Sequence, residues 1–215
     1  MKLVHSDFSA LGNFNPSILQ PDWLVRQGLI PDGALIDMRF DLGSRAVDFR
    51  APPLMWRTTR ERFTVSLTGD TGEKATDIEA PGAFAASIFE ILSHTPIMGV
   101  GHNFHFEIGA DSSVALKALE AAAHLLSHSF ADPGQAAVGT MRVQYRGLRP
   151  QALVTLDMAE PTPDGRVRLM MNVHYSIIEL SRAIEIARDA RAVYEWVLAG
   201  FERMVNHGPA EGVTP

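Results

Sequence analysis

Residues Leu92–Gly109 read LSHTPIMGVGHNFHFEIG and contain the longest clean strand pattern in the chain. Pro96 separates this strand from a preceding helical pattern. Alternation places six residues on a face predicted to be buried: Met98, Val100, His102, Phe104, Phe106 and Ile108. The opposite face carries Gly99, Gly101, Asn103, His105 and Glu107. This second face is too polar to be buried without partners, and its two glycines permit close approach to the backbone.

The patterns on either side of this stretch predict a mixture of strands and helices. Before it, strand patterns cover Val4–Phe14, Ala34–Leu42, Ala46–Trp56 and Arg62–Thr68, with a short helix from Pro21 and a longer one after Asp77. After it come a helix at Ser112–Ser127, strands at Gly139–Arg146, Gln151–Met158 and Arg166–Ile178, and a closing helix at Ser181–Asn206. Three residues of the second strand are predicted to point inward: Ile36, Met38 and Phe40. Phe84, Ile88, Ile91 and Leu92 form the buried stripe of the longer helix. Pro52-Pro53 interrupts the pattern Ala46–Trp56 and either confines this strand to the edge of a sheet or splits it at a bulge.

The order strand, helix, three strands, helix occurs twice. We therefore expect one compact domain over 1–215, built of pseudo-repeats at about 1–95 and 96–208, with 209–215 as a loose tail. Such a duplication predicts an α+β fold, in which a curved antiparallel sheet carries the long helices on one face. This layout is similar to the duplicated sheet of TATA-binding proteins and to that of SecB-type chaperones. A shared layout does not carry function.

A more specific resemblance rests on short motifs. His94-Thr95-Pro96, Gly101 and Asn103-Phe104-x-Phe106, with Val193-Tyr194-Glu195-Trp196 in the closing helix, resemble a sporadically distributed, uncharacterised bacterial α+β family. The resemblance implies a soluble bacterial protein. It supplies no catalytic residues.

Composition excludes several classes of site. The chain has 215 residues, a net charge of −6 and no cysteine. A disulfide framework, a thiolate nucleophile and a thiolate zinc site are therefore impossible. The negative charge disfavours broad, salt-driven binding to nucleic acid. We expect a cytoplasmic protein without a membrane span or a cofactor.

No standard catalytic motif is present. Gly99 and Gly101 supply two glycines of the dinucleotide-binding fingerprint, but the third is missing and the pair lies within a strand. His124 and His128 stand four apart on the predicted helix Ser112–Ser127, a spacing that can bind a metal. Because no glutamate follows His124 as in a zincin, surface histidines near a helix C-terminus are the better interpretation. No metal site is predicted.

The polar face of the sheet is the candidate site. Its predicted binding residues are Asn13, Asn103, His105, Glu107, Arg142, Arg146, Arg168, Asn172 and His174. The favoured function is non-catalytic binding or assembly through this face. One alternative is a small enzyme in which Asn103, His105 and Glu107 form an acid/base site. Another is a single-stranded nucleic-acid binder that uses Arg142, Arg146 and Arg168, although the strand aromatics point mostly inward.

The closing helix predicts a protein partner or self-association. Its apolar residues form two stripes, whereas a helix packed on one sheet needs only one. The surplus within Tyr194–Val205 favours a homodimer, since symmetric pairs are the commonest soluble assemblies.

Overall fold

A computed structural model describes residues 2–41, 43, 46–68, 77–109, 141–146, 152–158, 166–177 and 179–207. Within 141–146 the one side chain described is that of Gln144, and residues 158 and 201–207 are described by their backbone alone. The predicted helix Ser112–Ser127, with His124 and His128, and the predicted tail 209–215 lie outside the described residues.

In the described part of the chain, nine strands form one antiparallel sheet accompanied by four helices. The strands are β1 (Lys2–Gly12), β2 (Asp37–Asp41), β3 (Ala46–Ala51), β4 (Leu54–Thr58), β5 (Arg62–Leu67), β6 (Ile97–Ile108), β7 (Met141–Arg146), β8 (Ala152–Met158) and β9 (Val167–Ser176). The helices are α1 (Pro21–Arg26), α2 (Ala80–Ile91), α3 (Leu180–Arg188) and α4 (Ala190–His207). The predicted fold class, α+β with an antiparallel sheet, is confirmed.

The strand order is β2-β3-β4-β5-β1-β6-β9-β8-β7, which puts β1 and β6 at the centre and β2 and β7 at the edges. The predicted strand Ala46–Trp56 is in fact two strands, because Pro52-Pro53 forms the turn of the β3–β4 hairpin. Gly28 follows the end of helix α1 with a φ of 71°, a conformation that suits glycine. The Gly28 and Leu29 amides donate to the carbonyls of Val25 and Leu24.

Two β-bulges lie in the central pair of strands. Their register shifts fall between Leu3 and His5 and between Leu11 and Gly12, so Val4 of β1 and Met98 of β6 are the extra residues. A bulge reverses the alternation of faces. Met98, predicted to be buried, is therefore 65% exposed, while Ile97 takes its place in the core. From Val100 to Ile108 the predicted faces of β6 are correct, and Phe104 and Phe106 are fully buried.

The core lies between the sheet and the helices. Helices α2 and α3 pack against each other, α2 on β1 and β5 and α3 on β6. His102 is a buried core histidine, as predicted. Its Nε2 lies 2.7 Å from the carbonyl oxygen of Ile186 in the last turn of α3, so Nε2–H donates to this carbonyl.

The closing helix differs from its prediction. It is two helices, α3 and α4, separated at Asp189. The Tyr194 ring of α4 packs on Phe104 and Phe106, with ring centroids 5.4 and 6.3 Å apart. Tyr194, one of the apolar residues predicted to be free to meet a partner, thus packs against the sheet instead.

Met38 and Phe40 lie on the predicted face of the sheet, but neither side chain is buried. Met38 pairs with Phe49 and Phe40 with Val47, so both lie on the core side of the sheet, yet they are 61% and 67% exposed. The physical reason is position, because β2 is the edge strand and the helices pack nearer the centre. Ile91, at the last position of α2, is 42% exposed and is a second error of this kind.

The two halves of the sheet share a strand order. From the centre outward, one half runs β1-β5-β4-β3 and the other β6-β9-β8-β7, with β2 added at the edge of the first half. The internal duplication itself stays a prediction. None of the described helices combines the length and apolarity needed to cross a membrane.

Candidate functional site

The polar face of the central strands forms an open concavity of about 510 Å³. Strand register explains its composition, since residues directly paired across antiparallel strands share a face. One row of paired residues crosses five strands and consists of Asp7, Asn103, Asn172, Thr155 and Gln144. The other lining residues are Ser9, Leu11, Arg62, Thr64, Gly101, His105, Asp157, Met170 and His174.

A chain of hydrogen bonds joins the first three residues of this row. The Asn172 amide donates to the Asn103 side-chain oxygen. The Asn103 amide donates to Asp7 Oδ1 over 2.5 Å, and Ser9 Oγ donates to the same oxygen over 3.3 Å. These hydrogen bonds fix the orientations of the Asn103 and Asn172 amides. Both hydrogen bonds to Asp7 go to Oδ1, and the second carboxylate oxygen, Oδ2, points toward other neighbours.

Two histidines lie at Asp7 Oδ2. His105 Nε2 is 3.5 Å from this oxygen, and His5 Nε2 is 3.8 Å from it. His5 and His105 are register partners, with ring centroids 5.1 Å apart in an edge-on arrangement. The bulge at Val4 makes this possible, because it lets Leu3 stay in the core while His5, two residues on, points to the polar face.

Gly101 lines the concavity, and Gly99 lies two residues before it on the same face of β6. A Cβ on Gly101 would lie 3.1 Å from the Val173 carbonyl, and a Cβ on Gly99 would lie 2.7 Å from the His174 ring. The space above Gly99, expected from sequence to admit a close approach, is therefore taken by the His174 imidazole of this chain.

Burial acts on two imidazoles of the site. It lowers the pKa of His5, and the Asp7 carboxylate opposes this while His105 adds to it. It also lowers the pKa of His174, and the nearby Arg62 guanidinium lowers it further. Because the folded-state pKa of His174 lies below that of the unfolded chain, the neutral ring contributes stability above the ordinary histidine pKa. That contribution is lost as the pH falls through the lowered value.

Replacing Arg62 with alanine is expected to raise the pKa of His174 while leaving it below the ordinary histidine value, because burial is the larger cause. The measurement is an NMR pH titration of the imidazole resonances. Arg60→Ala removes an exposed arginine two residues away and should leave His174 unchanged. An unaltered His174 pKa in Arg62→Ala would contradict the assignment of this charge effect.

The structure gathers some of the predicted site residues and separates others. Asn103, His105, Asn172 and His174 line the concavity together. Glu107 instead forms an ion pair with Arg166, over 3.0 Å. Asn13 lies at a separate, more apolar depression beside Pro96.

Of the three predicted arginines, only Arg168 has a described side chain. Arg168 is exposed and pairs with Glu107 in the strand register. Arg142 and Arg146 occupy register positions opposite Asp157 and Leu153, and their side chains lie outside the described residues.

Sequence reasoning missed the partners of His105. His5 and Asp7 have the outward parity of β1, but the sequence does not group them with residues of β6, because the pairing of two strands cannot be read from either strand alone. The available signal was the repeat, since a pseudo-repeat that begins with β1 and again with β6 makes these strands candidates for a central pair.

A scan against protein-family models finds no match to this chain, and a search of curated proteins finds none either.

Proposed function

We propose that this chain is a non-catalytic binding protein that holds a small polar ligand on the concave face of its sheet. The observation that carries the proposal is the concavity itself, at about 510 Å³. This volume lies within the range of small-molecule sites, roughly 300–1,000 Å³. The central strands that carry it form a rigid support for a site.

The lining indicates the chemistry of the ligand. Amides and hydroxyls supply both donors and acceptors, and the charged groups differ in sign, with Arg62 on β5 and Asp157 on β8. Such a wall suits a compact molecule with several hydrogen-bonding groups. Among the described lining residues there is no Phe, Tyr or Trp for base stacking, and Asp7 and Asp157 repel phosphate, so the nucleic-acid alternative is disfavoured.

The enzymatic alternative has one observation in its favour, the 3.5 Å separation of His105 Nε2 and Asp7 Oδ2. A general base needs such a partner. However, the hydroxyl of Ser9 is hydrogen-bonded to Asp7 and paired with Thr64, not with an imidazole. Ser9 is therefore held by Asp7 and Thr64 and is not placed to be activated by His105, and we propose binding rather than catalysis.

A thermal-shift panel of amino acids, hydroxy acids and nucleosides tests ligand binding. At least one class should raise the melting temperature in a concentration-dependent way. Gln144→Trp fills the rim of the concavity at an exposed position and should abolish the shift. Gln27→Trp places the same ring at an exposed position beside α1 and should preserve it. Shifts that are absent in wild type, or equal in Gln144→Trp, would refute the proposal.

We also propose that two copies associate through the β2 edge. Leu35, Met38 and Phe40 are 83%, 61% and 67% exposed, and Met38 and Phe40 extend the core face beyond the helices. An apolar edge strand is a template for pairing, and a two-fold axis would let the β2 strands of two copies pair and cover each other.

The predicted cytoplasmic location also remains part of the proposal.

Light scattering should give twice the chain mass of 23.5 kDa at micromolar concentration. Phe40→Lys should shift the protein to the monomer and change the free energy of unfolding of the monomer by less than about 0.5 kcal/mol, because the site is exposed. Met98→Lys introduces the same charge at an exposed apolar residue of β6, away from the β2 edge, and should leave the dimer intact. A concentration-independent mass of one chain would refute self-association.

A further inference from the structure

We propose that His5, Asp7 and His105 bind a divalent first-row transition metal ion, of which zinc is the representative, at one end of the concavity. Each residue offers one ligand atom, and these atoms all lie within 4.8 Å of one another. Two imidazoles with one carboxylate are a donor set that such ions prefer, in contrast to the all-oxygen sets of calcium and magnesium.

The two distances between the imidazole nitrogens and Asp7 Oδ2 are close to those between ligand atoms in a tetrahedral metal site. With metal–ligand bonds of about 2.0–2.1 Å, donors at the corners of a tetrahedron lie roughly 3.3 Å apart. His105 Nε2 and His5 Nε2 lie 3.5 and 3.8 Å from Asp7 Oδ2. The imidazole nitrogens of His5 and His105 lie within 4.8 Å of each other, so the two rings would move closer together when both bind one ion.

The surroundings of Asp7 orient it for this role. Asn103 and Ser9 donate to Oδ1, so Oδ2 is the atom presented to the histidines. Asn172 in turn fixes Asn103. Hydrogen bonds of this kind behind a ligating carboxylate set its orientation in metal sites.

The exposure of the three residues predicts an accessible ion. The side chains of His5 and His105 are 34% and 35% exposed, whereas that of Asp7 is 12% exposed. Asp7 and His105 line the concavity, and His5 lies beside them within reach of the same carboxylate oxygen. Three protein ligands leave a fourth position for water or a ligand group. This inference rests on the proposed function in taking the concave face as the binding surface.

The test is a titration of the chelator-treated 215-residue chain with Zn²⁺ by calorimetry and with Co²⁺ by visible absorption. We expect a stoichiometry of one. His5→Gln, Asp7→Asn and His105→Gln should each weaken binding by at least about tenfold, as loss of even an outer-shell partner does. His124→Gln/His128→Gln removes the other pair with metal-binding spacing, and His174→Gln removes a lining histidine outside the triad. Both control variants should bind like wild type.

An NMR measurement on the unaltered protein covers the case in which a variant fails to fold. Zn²⁺ should shift the imidazole signals of His5 and His105 and leave those of His102 and His174 in place. Absence of binding, retention of wild-type affinity in His5→Gln and His105→Gln, or its loss in His124→Gln/His128→Gln would overturn the inference. The ligand panel repeated with chelator keeps the two proposals distinguishable, because ligand shifts without metal binding would refute only the metal site.

Discussion

Replacing Phe104 with alanine is expected to lower the free energy of unfolding by about 3–5 kcal/mol. The side chain is fully buried in the middle of β6, one of the two central strands of the sheet. It packs on the His102 ring, with centroids 6.1 Å apart, and on the Tyr194 ring at 5.4 Å. Truncation would leave a cavity between the sheet and α4, and the strands and helices around it cannot close without losing other contacts.

Denaturant unfolding measures this loss as a lower midpoint at unchanged slope. His105→Ala is the matched control on the same strand. Its side chain is about one-third exposed on the polar face, so its loss should cost less than about 1 kcal/mol. Equal losses at positions 104 and 105 would contradict the strand register, because a slip by one residue exchanges the two faces.

The register of β6 could be predicted because its alternation is strong. Large aromatic rings at Phe104 and Phe106 stand between polar residues at Asn103, His105 and Glu107, and no other assignment of faces buries the rings. The error at Met98 has a local cause. A bulge adds one residue there, and a bulge follows from how two strands pair rather than from the composition of one.

The other errors concern how far the helices extend over the sheet and where a helix is interrupted, and not which residues alternate between faces. Met38 and Phe40 were assigned to the correct face, but their exposure depends on where β2 stands in the sheet and how far the helices reach. The break in the closing helix at Asp189 lies in a stretch with no proline or glycine, the residues that usually mark an interruption. The exposure of Met38 and Phe40 depends on long-range packing, which the periodicity of a single strand does not contain.

In the candidate site, too, alternation within each strand could be predicted, whereas the pairing between strands could not. Asn103, His105, Asn172 and His174 could be placed on the polar face from parity alone. The grouping of His105 with His5 and Asp7 required the pairing of β1 with β6 and the bulge at Val4. Parity selects which residues share a face, and strand order selects which of them meet.

The second large effect is expected at the crossing of α2 and α3. Gly82→Ala should destabilise the protein by about 1–3 kcal/mol through overpacking. A Cβ on Gly82 would lie 1.9 Å from the carbonyl oxygen of Ala187 and 3.0 Å from its carbon. Both are backbone atoms and cannot rotate away. Moving α3 would also strain the hydrogen bond that His102 donates to Ile186, so the clash is transmitted to the centre of the sheet.

Gly200→Ala in α4 is the matched control, because nothing lies within 4 Å of the Cβ it would add. Alanine favours a helix over glycine by about 1 kcal/mol, so this variant should be as stable as wild type or more stable. The two substitutions are chemically identical and both fall in helices, so opposite signs in the same denaturant titration would isolate the helix contact at Gly82. If Gly82→Ala were as stable as wild type, α2 and α3 could not cross as closely as described.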